Sequence, residues 1–311
     1  MIDCIFVQFD IEEFYPSISK DLVLEAINYA KQFIDISQKN VDMILHARKS
    51  LLFADGTVWT KQADDNLFDV TMGSYDGAEI CELVGLYVLN LLGDKFGRNN
   101  LGLYRDDGLA YFKNVSGPKS DRIRKDIIKI FKDIGLKITI ETNLKRVNFL
   151  DVTFDLQTET FKPYHKPNDL PSYINTKSNH PPNIIKAIPE SISRRISNIS
   201  SDENIFHHAA PYYNNALASA GYQTNIDYSP NIISQDKSRK RSRNVIWYNP
   251  PYSINVKTNI ARHFLNLIDR HFPKGHKFRK LFNRNNVKVS YSCMPNFAAI
   301  VTSHNKRILS K

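Results

Sequence analysis

The sequence predicts an α+β protein whose first half is an antiparallel sheet with helices on one face, followed by a mostly helical, increasingly basic second half. Three observations lead there. Residues 4–11 (CIFVQFDI) are apolar and β-branched or aromatic, as in a buried strand. Ile80, Leu83, Val84, Tyr87, Val88, Leu91 and Leu92 recur at i, i+3, i+4, i+7, i+8, the stripe of a long core-facing helix. Residues 101–104 and 109–112 are apolar runs around a tight polar centre, Asp106-Asp107-Gly108, and an Asp-Gly step between β-type runs is a strong hairpin signal.

Taken in order, the first strand delivers Asp10 near its C-terminal end, and Glu12 to Pro16 then turn the chain. Ser19 caps a helix expected through about residue 33, with Leu22, Ala26, Ile27, Ala30 and Phe33 on its apolar side. A second helix is expected over 38–52 and a small hairpin over 53–60, turning at Asp55-Gly56. Gly73 to Glu79 is a glycine-containing approach to the long helix. After the central hairpin, a Lys-rich helix over about 120–134 faces Ile123, Ile127, Ile130, Phe131 and Ile134 inward, and Gly135 stops it. Residues 137–141 alternate as a strand, and 147–154 read as another, paired with the segment after it. Prolines 163, 167, 171, 181, 182 and 189 break residues 159–235 into short pieces. The polar, basic run 235–243 is the linker candidate and also fits a nuclear-localisation pattern.

With 311 residues at 42% hydrophobic content, the chain can bury a sizeable core in two domains or more. No run approaches the roughly 18 apolar residues of a membrane span. Cys4, Cys81 and Cys293 are odd in number and far apart, which argues against a disulfide framework or a zinc cluster and fits an intracellular setting. The net charge of +10 is unevenly spread: residues 1–230 hold 25 Lys/Arg against 30 Asp/Glu, residues 231–311 hold 17 against 2. Such a segment, interleaved with Trp247, Tyr248, Tyr252, Phe264 and Phe272, is suited to holding a polyanion. His180, His207 and His208 lack partners at metal-ligand spacing and read as structural or solvated.

The chemistry lies in the carboxylates. Asp106 and Asp107 are expected together at an exposed hairpin tip, where they repel each other unless a cation intervenes. If the strand carrying Asp10 lies beside that hairpin, three carboxylates converge, a set able to hold two divalent ions for phosphoryl or nucleotidyl transfer. The carboxylates alone do not choose between making and cutting a strand, so a two-metal nuclease stays open, as does a silent nucleic-acid-binding chain.

Phe9-Asp10-Ile11, Phe14-Tyr15-Pro-Ser-Ile and Tyr104-Arg-Asp-Asp107 resemble the palm of reverse transcriptases. Phe149-Leu-Asp-Val152 resembles the primer-gripping hairpin of that family. Tyr164-His-Lys-Pro-Asn, Ser172-Tyr-Ile, Ser178-Asn-His-Pro-Pro182 and Ala220-Gly-Tyr222 are similar to the segment after the palm in Penelope-like retroelement polymerases. The resemblance implies an RNA-directed DNA polymerase with a palm over 1–158, a thumb-like region over 159–235 and a basic nucleic-acid-binding region over 236–311. It implies that Asp10, Asp106 and Asp107 bind two Mg²⁺ ions, or Mn²⁺, and that the substrates are an RNA or DNA template–primer duplex and deoxynucleoside triphosphates. It further implies that Tyr15 blocks a ribose 2′-OH, that Lys145 protonates pyrophosphate, and that Phe149 and Leu150 steady the primer. Ile11, Gly73, Tyr104 and Arg105 complete its substrate-binding set. Gly77-Ala-Glu79 stands where the family usually has Ser-Pro before the long helix, and no Gly-Ile-Tyr/Tyr-Ile-Gly nuclease signature is found in the C-terminal part. The family's fingers lie upstream of its first catalytic strand. The expectation is therefore that these 311 residues bind primer–template yet extend it poorly by themselves.

Overall fold

The computed structural model describes residues 4–49, 52–59, 68–115, 117–230 and 245–294. The linker candidate at 235–243 lies outside the described residues, as do residue 60 of the small hairpin and the last residues of the basic region. The chain divides into two compact units, Met1–Tyr164 and His165–Lys311.

The first unit is built on a four-stranded antiparallel sheet in the order Leu101–Tyr104, Asp107–Phe112, Ile5–Ile11, Ile138–Leu144. Its strands are β1 (Ile5–Ile11), β4 (Leu101–Tyr104), β5 (Asp107–Phe112) and β6 (Ile138–Leu144). Alternation along β1 separates two faces. Ile5, Val7, Phe9 and Ile11 are almost fully buried and share one core with residues of α2 (Lys20–Ala30), α4 (Gly77–Phe96) and α5 (Gly117–Asp133). Gln8 and Asp10 point to the other face, and Asp10 is exposed there. The helices thus cover one face of the sheet, as the sequence predicts.

The helix signals hold in the structure. Ser19 Oγ accepts from Leu22 N at 3.1 Å, α4 buries Ile80, Val84, Val88 and Leu92, and α5 buries Ile123, Ile127 and Phe131 before Gly135 turns out at φ 77°. The boundaries are shorter in two places. Helix α2 stops at Ala30, which leaves Phe33 67% exposed rather than on the apolar side, and α3 (Gln38–Ala47) ends five residues before 52. The hairpin β2 (Leu52–Ala54) and β3 (Thr57–Trp59) turns at Asp55-Gly56. Residues 147–154 are two strands rather than one. Leu150 takes φ 52° and the chain reverses, so β7 (Arg146–Phe149) pairs with β8 (Val152–Asp155), which pairs in turn with β9 (Thr160–Pro163). Because β9 closes this second sheet, the unit runs to Tyr164 rather than to 158.

The second unit has its own core, formed where α6 (Pro182–Asn198) and α7 (Glu203–Ser219) pack together. The extended segment after α7 lies in their groove with Ile226 buried. Ser193 Oγ accepts from Asp227 N at 3.2 Å and Ser197 Oγ from Ser229 N at 2.8 Å. Residues four apart on a helix rise about 6 Å and alternate residues of an extended chain about 6.6 Å, which is why serines at that spacing serve successive outward N–H groups. Further along the chain, β10 (Ile246–Tyr248) and β11 (Val287–Val289) form a parallel pair joined through α8 (Ile260–His271). Among the described residues no helix is long and apolar enough to cross a membrane.

Candidate active site

The open face of the first sheet carries Asp10 and Asp107. Strands β1 and β5 pair with Asp10 opposite Asp107, and Ile11 N donates to Asp106 O at 3.0 Å. That bond, one residue beyond the pair on each strand, marks Asp10–Asp107 as a non-hydrogen-bonded pair. In this arrangement opposed side chains come closest, with Cα atoms roughly 4.5 Å apart. Like charges directly opposite destabilise a sheet. The consequence is visible on Asp10: partial burial, then Asp106, Asp107 and Glu12, push its carboxyl above the ordinary aspartate range.

The hairpin exists where it is expected, but its turn is placed differently. The two loop residues are Arg105 and Asp106, whereas Asp107 and Gly108 already belong to β5. Arg105 takes φ 57°, the left-handed region, which costs a non-glycine residue about 1–2 kcal/mol. Gly108 is therefore not a turn residue. It sits opposite Phe9, and a Cβ there would lie 2.0 Å from the Phe9 ring. Its lack of a side chain lets the carboxylate strands approach over a buried phenylalanine. Tyr104 pairs with Asp107 at the exposed end, and the Arg105 guanidinium lies 5.6 Å from the Tyr104 ring.

The remaining expected site residues divide into those brought to this end and those that are not. Tyr15, on α1 (Phe14–Ser17), is 9% exposed, beside the thiol of Cys81, and close enough to Arg105 and Asp106 to feel both charges. Burial, Cys81 and Asp106 hold its phenol high, and burial pushes the Cys81 thiol up to about 11. Phe149 and Leu150 form the β7–β8 tip, with Leu150 45% exposed. That hairpin is tied beside the carboxylate strand by Gln8, two residues before Asp10 on the same face, whose Nε2 donates to Asn148 O at 3.0 Å. Asn148 is steadied in turn by Thr153 Oγ1, 2.7 Å from its Oδ1.

Ile11 does not reach the open face. Its side chain is on the helix side and 2% exposed, so any role is through its backbone. Lys145 is not brought to the carboxylates either. Its Nζ donates to Cys4 O at 2.7 Å, at the opposite end of β1, six residues or roughly 20 Å from Asp10. Gly73 turns with φ 86° in open space before α4. Asp76 is the N-cap residue of α4 and pairs with the buried Arg48, which also reaches Ser74 Oγ at 3.3 Å; Glu79 falls in the first turn, where the helix dipole favours acid. Outside this unit, His180 Nδ1 is bonded to Ser178 Oγ and the exposed His207 lies 3.5 Å from Glu203.

Sequence reasoning missed Gln8, Gly108, Arg48 and Cys81. The alternation of β1 could have placed Gln8 beside Asp10, but nothing local announces Asn148 as its partner 140 residues away.

Among the described residues no three His, Cys, Asp or Glu side chains stand close enough together to hold a metal ion as they are placed. The oxygens of Asp10, Asp106 and Asp107 are all carboxylate, the chemistry a hard divalent cation requires, and Asp10 carries a charge conflict that a cation would relieve.

No family model and no curated protein matches the chain. Similar solved structures include apo telomerase from Candida tropicalis truncated from its C-terminal domain, at 13% identity and a TM-score of 0.39, covering 52% of this chain and 35% of that one. Telomerase from Candida albicans in complex with a TWJ fragment of telomeric RNA is similar at 9% identity and a TM-score of 0.45, covering 70% and 38%. The chain thus spans little more than a third of the length of either.

Proposed function

We propose that the first unit is the palm of a nucleotidyl-transferring polymerase, and that the chain is the palm and thumb of a retroelement reverse transcriptase. It would act on template–primer duplex and deoxynucleoside triphosphates. The observation that carries this reading is the closest-pair register of Asp10 with Asp107, with Asp106 in the adjoining turn. Asp10 and Asp107 share the sheet face opposite the helix-covered one, beside a hairpin tied down by Gln8. A structural acidic turn does not require two strands to oppose like charges at closest approach.

Asp10, Asp106 and Asp107 would hold Mg²⁺ or Mn²⁺, and the chemistry such ions supply when bound is activation of an attacking oxygen and stabilisation of a leaving one. The chain's own residues orient the reactants. Phe149 and Leu150 present the primer end to the Asp10 face. Tyr15 lies beneath that end as a rigid floor against which a 2′-hydroxyl would collide. Arg105, at the turn, supplies a positive charge for phosphate. Lys145 has no part in this reading.

Primer extension with added Mg²⁺ tests it, comparing the wild-type chain with Asp10→Asn. Extension lost in the variant supports the proposal. Shortening of the strand would make the site a nuclease, and tight binding with neither reaction, even beside an added fingers region, would make it a silent nucleic-acid binder.

A further inference from the structure

We propose that the element formed by β10, α8 and β11 carries a site of its own for an unpaired nucleic-acid strand, with phosphates in a basic groove and bases on two exposed rings. The choice of ligand rests on the polymerase reading; the site itself rests on the geometry of this element. The turns after α8 enclose an open groove of about 740 Å³ lined by Lys274, Arg279, Lys280 and Arg284, with Asp269 as its acidic member. Asp269 is shared by both arginines, Arg279 at 3.1 Å and Arg284 as a second ion pair, and these bonds hold its carboxyl below the usual range. It therefore stays ionised at neutral pH and fixes both guanidinium groups while cancelling only one of their charges. Lys274 and Lys280 are exposed and have no acidic partner among the described residues. Three positive charges are left in one groove.

The frame that presents them is fixed. Arg279 Nη1 donates to Phe272 O at 2.7 Å, Asn283 Nδ2 to Arg279 O at 3.0 Å, and Asn286 Nδ2 to Lys280 O at 2.6 Å. Asn286 O then accepts from Ile246 N at 2.8 Å, so β10 continues directly from the groove wall. Two aromatic rings accompany it. Trp247 is 59% exposed and registered opposite Lys288, and Phe278 is 43% exposed with Lys277 Nζ 4.9 Å from its ring centroid. A flat exposed ring beside a cation is a surface for a base whose phosphate lies nearby. A duplex hides its base faces, so rings in this setting favour a single strand over a paired one.

Trp59 and Trp247 are the only tryptophans of the chain, which makes the test direct. In the full chain carrying Trp59→Phe, titration with a 12-mer of deoxythymidine should quench Trp247 emission, and a duplex of equal length should do so far less. Lys274→Glu with Lys280→Glu should weaken binding at least tenfold in 0.1 M salt. It should also lower the slope of log K against log salt by about 1.4, or about 0.7 for each lost contact to a single strand. Phe278→Ala should weaken it roughly tenfold without moving that slope. Lys274→Gln with Lys280→Gln, which adds no new charge, guards against misfolding and should show the same fall in slope. Equal quenching by duplex, or by a non-nucleic polyanion such as heparin, overturns the unpaired-strand site. If the wild-type chain extends primers but shows no quenching and an unchanged slope in the double variants, the groove falls while the palm reading stands.

Discussion

At the residue scale the chain tolerates conflicts that a structural role would not need. Asp10 is the clearest. Its carboxyl is raised by burial and by the neighbouring carboxylates, so the folded state holds the Asp10 proton more tightly than the unfolded state does. Asp10 therefore costs no stability below the unfolded value and weakens the fold as pH rises through the folded one. Asp10→Asn should abolish nucleotide addition and yet raise the melting temperature at pH 7, with the difference closing below roughly pH 4. Thermal unfolding of both proteins across pH 3–8 checks this, and a lower melting temperature for the variant at pH 7 would refute it. Tyr15 is the second case. Its phenol contacts Cys81 under the carboxylate end, and Tyr15→Val should let ribonucleotides compete with deoxyribonucleotides. Tyr15→Phe, which keeps the ring, should preserve discrimination. Incorporation of ATP against dATP by each variant decides it; unchanged discrimination in Tyr15→Val removes Tyr15 from the site.

At the scale of elements, two contacts set how the strands carrying the site meet. Gly108 must approach Phe9, and Gly108→Ala should destabilise the first unit by about 1–3 kcal/mol through overpacking against that ring. Adding Phe9→Leu should recover part of the loss; denaturant unfolding of the single and double variants measures it, and additive losses would contradict the contact. Gln8 binds the β7–β8 hairpin to β1 without touching the carboxylates' own turn. Gln8→Ala should leave the core intact and raise the KM for primer several-fold at nearly constant kcat, in line with one lost hydrogen bond of about 1 kcal/mol. An equal fall in kcat with unchanged KM would show that Gln8 acts on the carboxylates instead.

At the scale of the whole chain, the two units hold separate cores. One runs through Ile5, Phe9, Val84, Val88, Ile127 and Phe131, and the other through Ile192, Ile196, Phe206 and Leu217. Since among the described residues none of the first core lies beyond Tyr164, a fragment ending there should fold cooperatively. Hydrogen exchange should protect the amides of β1 and α4 in the fragment as strongly as in the full chain. Loss of that protection would mean the first unit depends on the second. The charge is divided likewise, with 17 Lys/Arg against 2 Asp/Glu in residues 231–311, so polyanion affinity should track the second unit and fold stability of the first unit should not.

The sequence by itself determined what short-range periodicity encodes. The two-residue alternation of β1, the helical stripe of α4, the Ser19 cap and the Gly135 stop are each written within a few residues, and each forms at its expected place. It also determined that Asp106 and Asp107 lie at a hairpin and that basic charge collects at the C-terminal end. Tertiary structure alone decided which side chains meet. The register of β1 on β5 joins residues about a hundred positions apart, and a slip of one residue would turn Asp10 into the core and Phe9 out of it. That register is selected by packing Phe9 over Gly108, which makes Gly108 a contact rather than a turn residue. The same packing sends Ile11 to the helix side and leaves Lys145 at the far end of the strand. Local pattern fixes conformation because it acts through neighbours in the chain. A site is a property of register and burial, and these are settled only when the whole core is assembled.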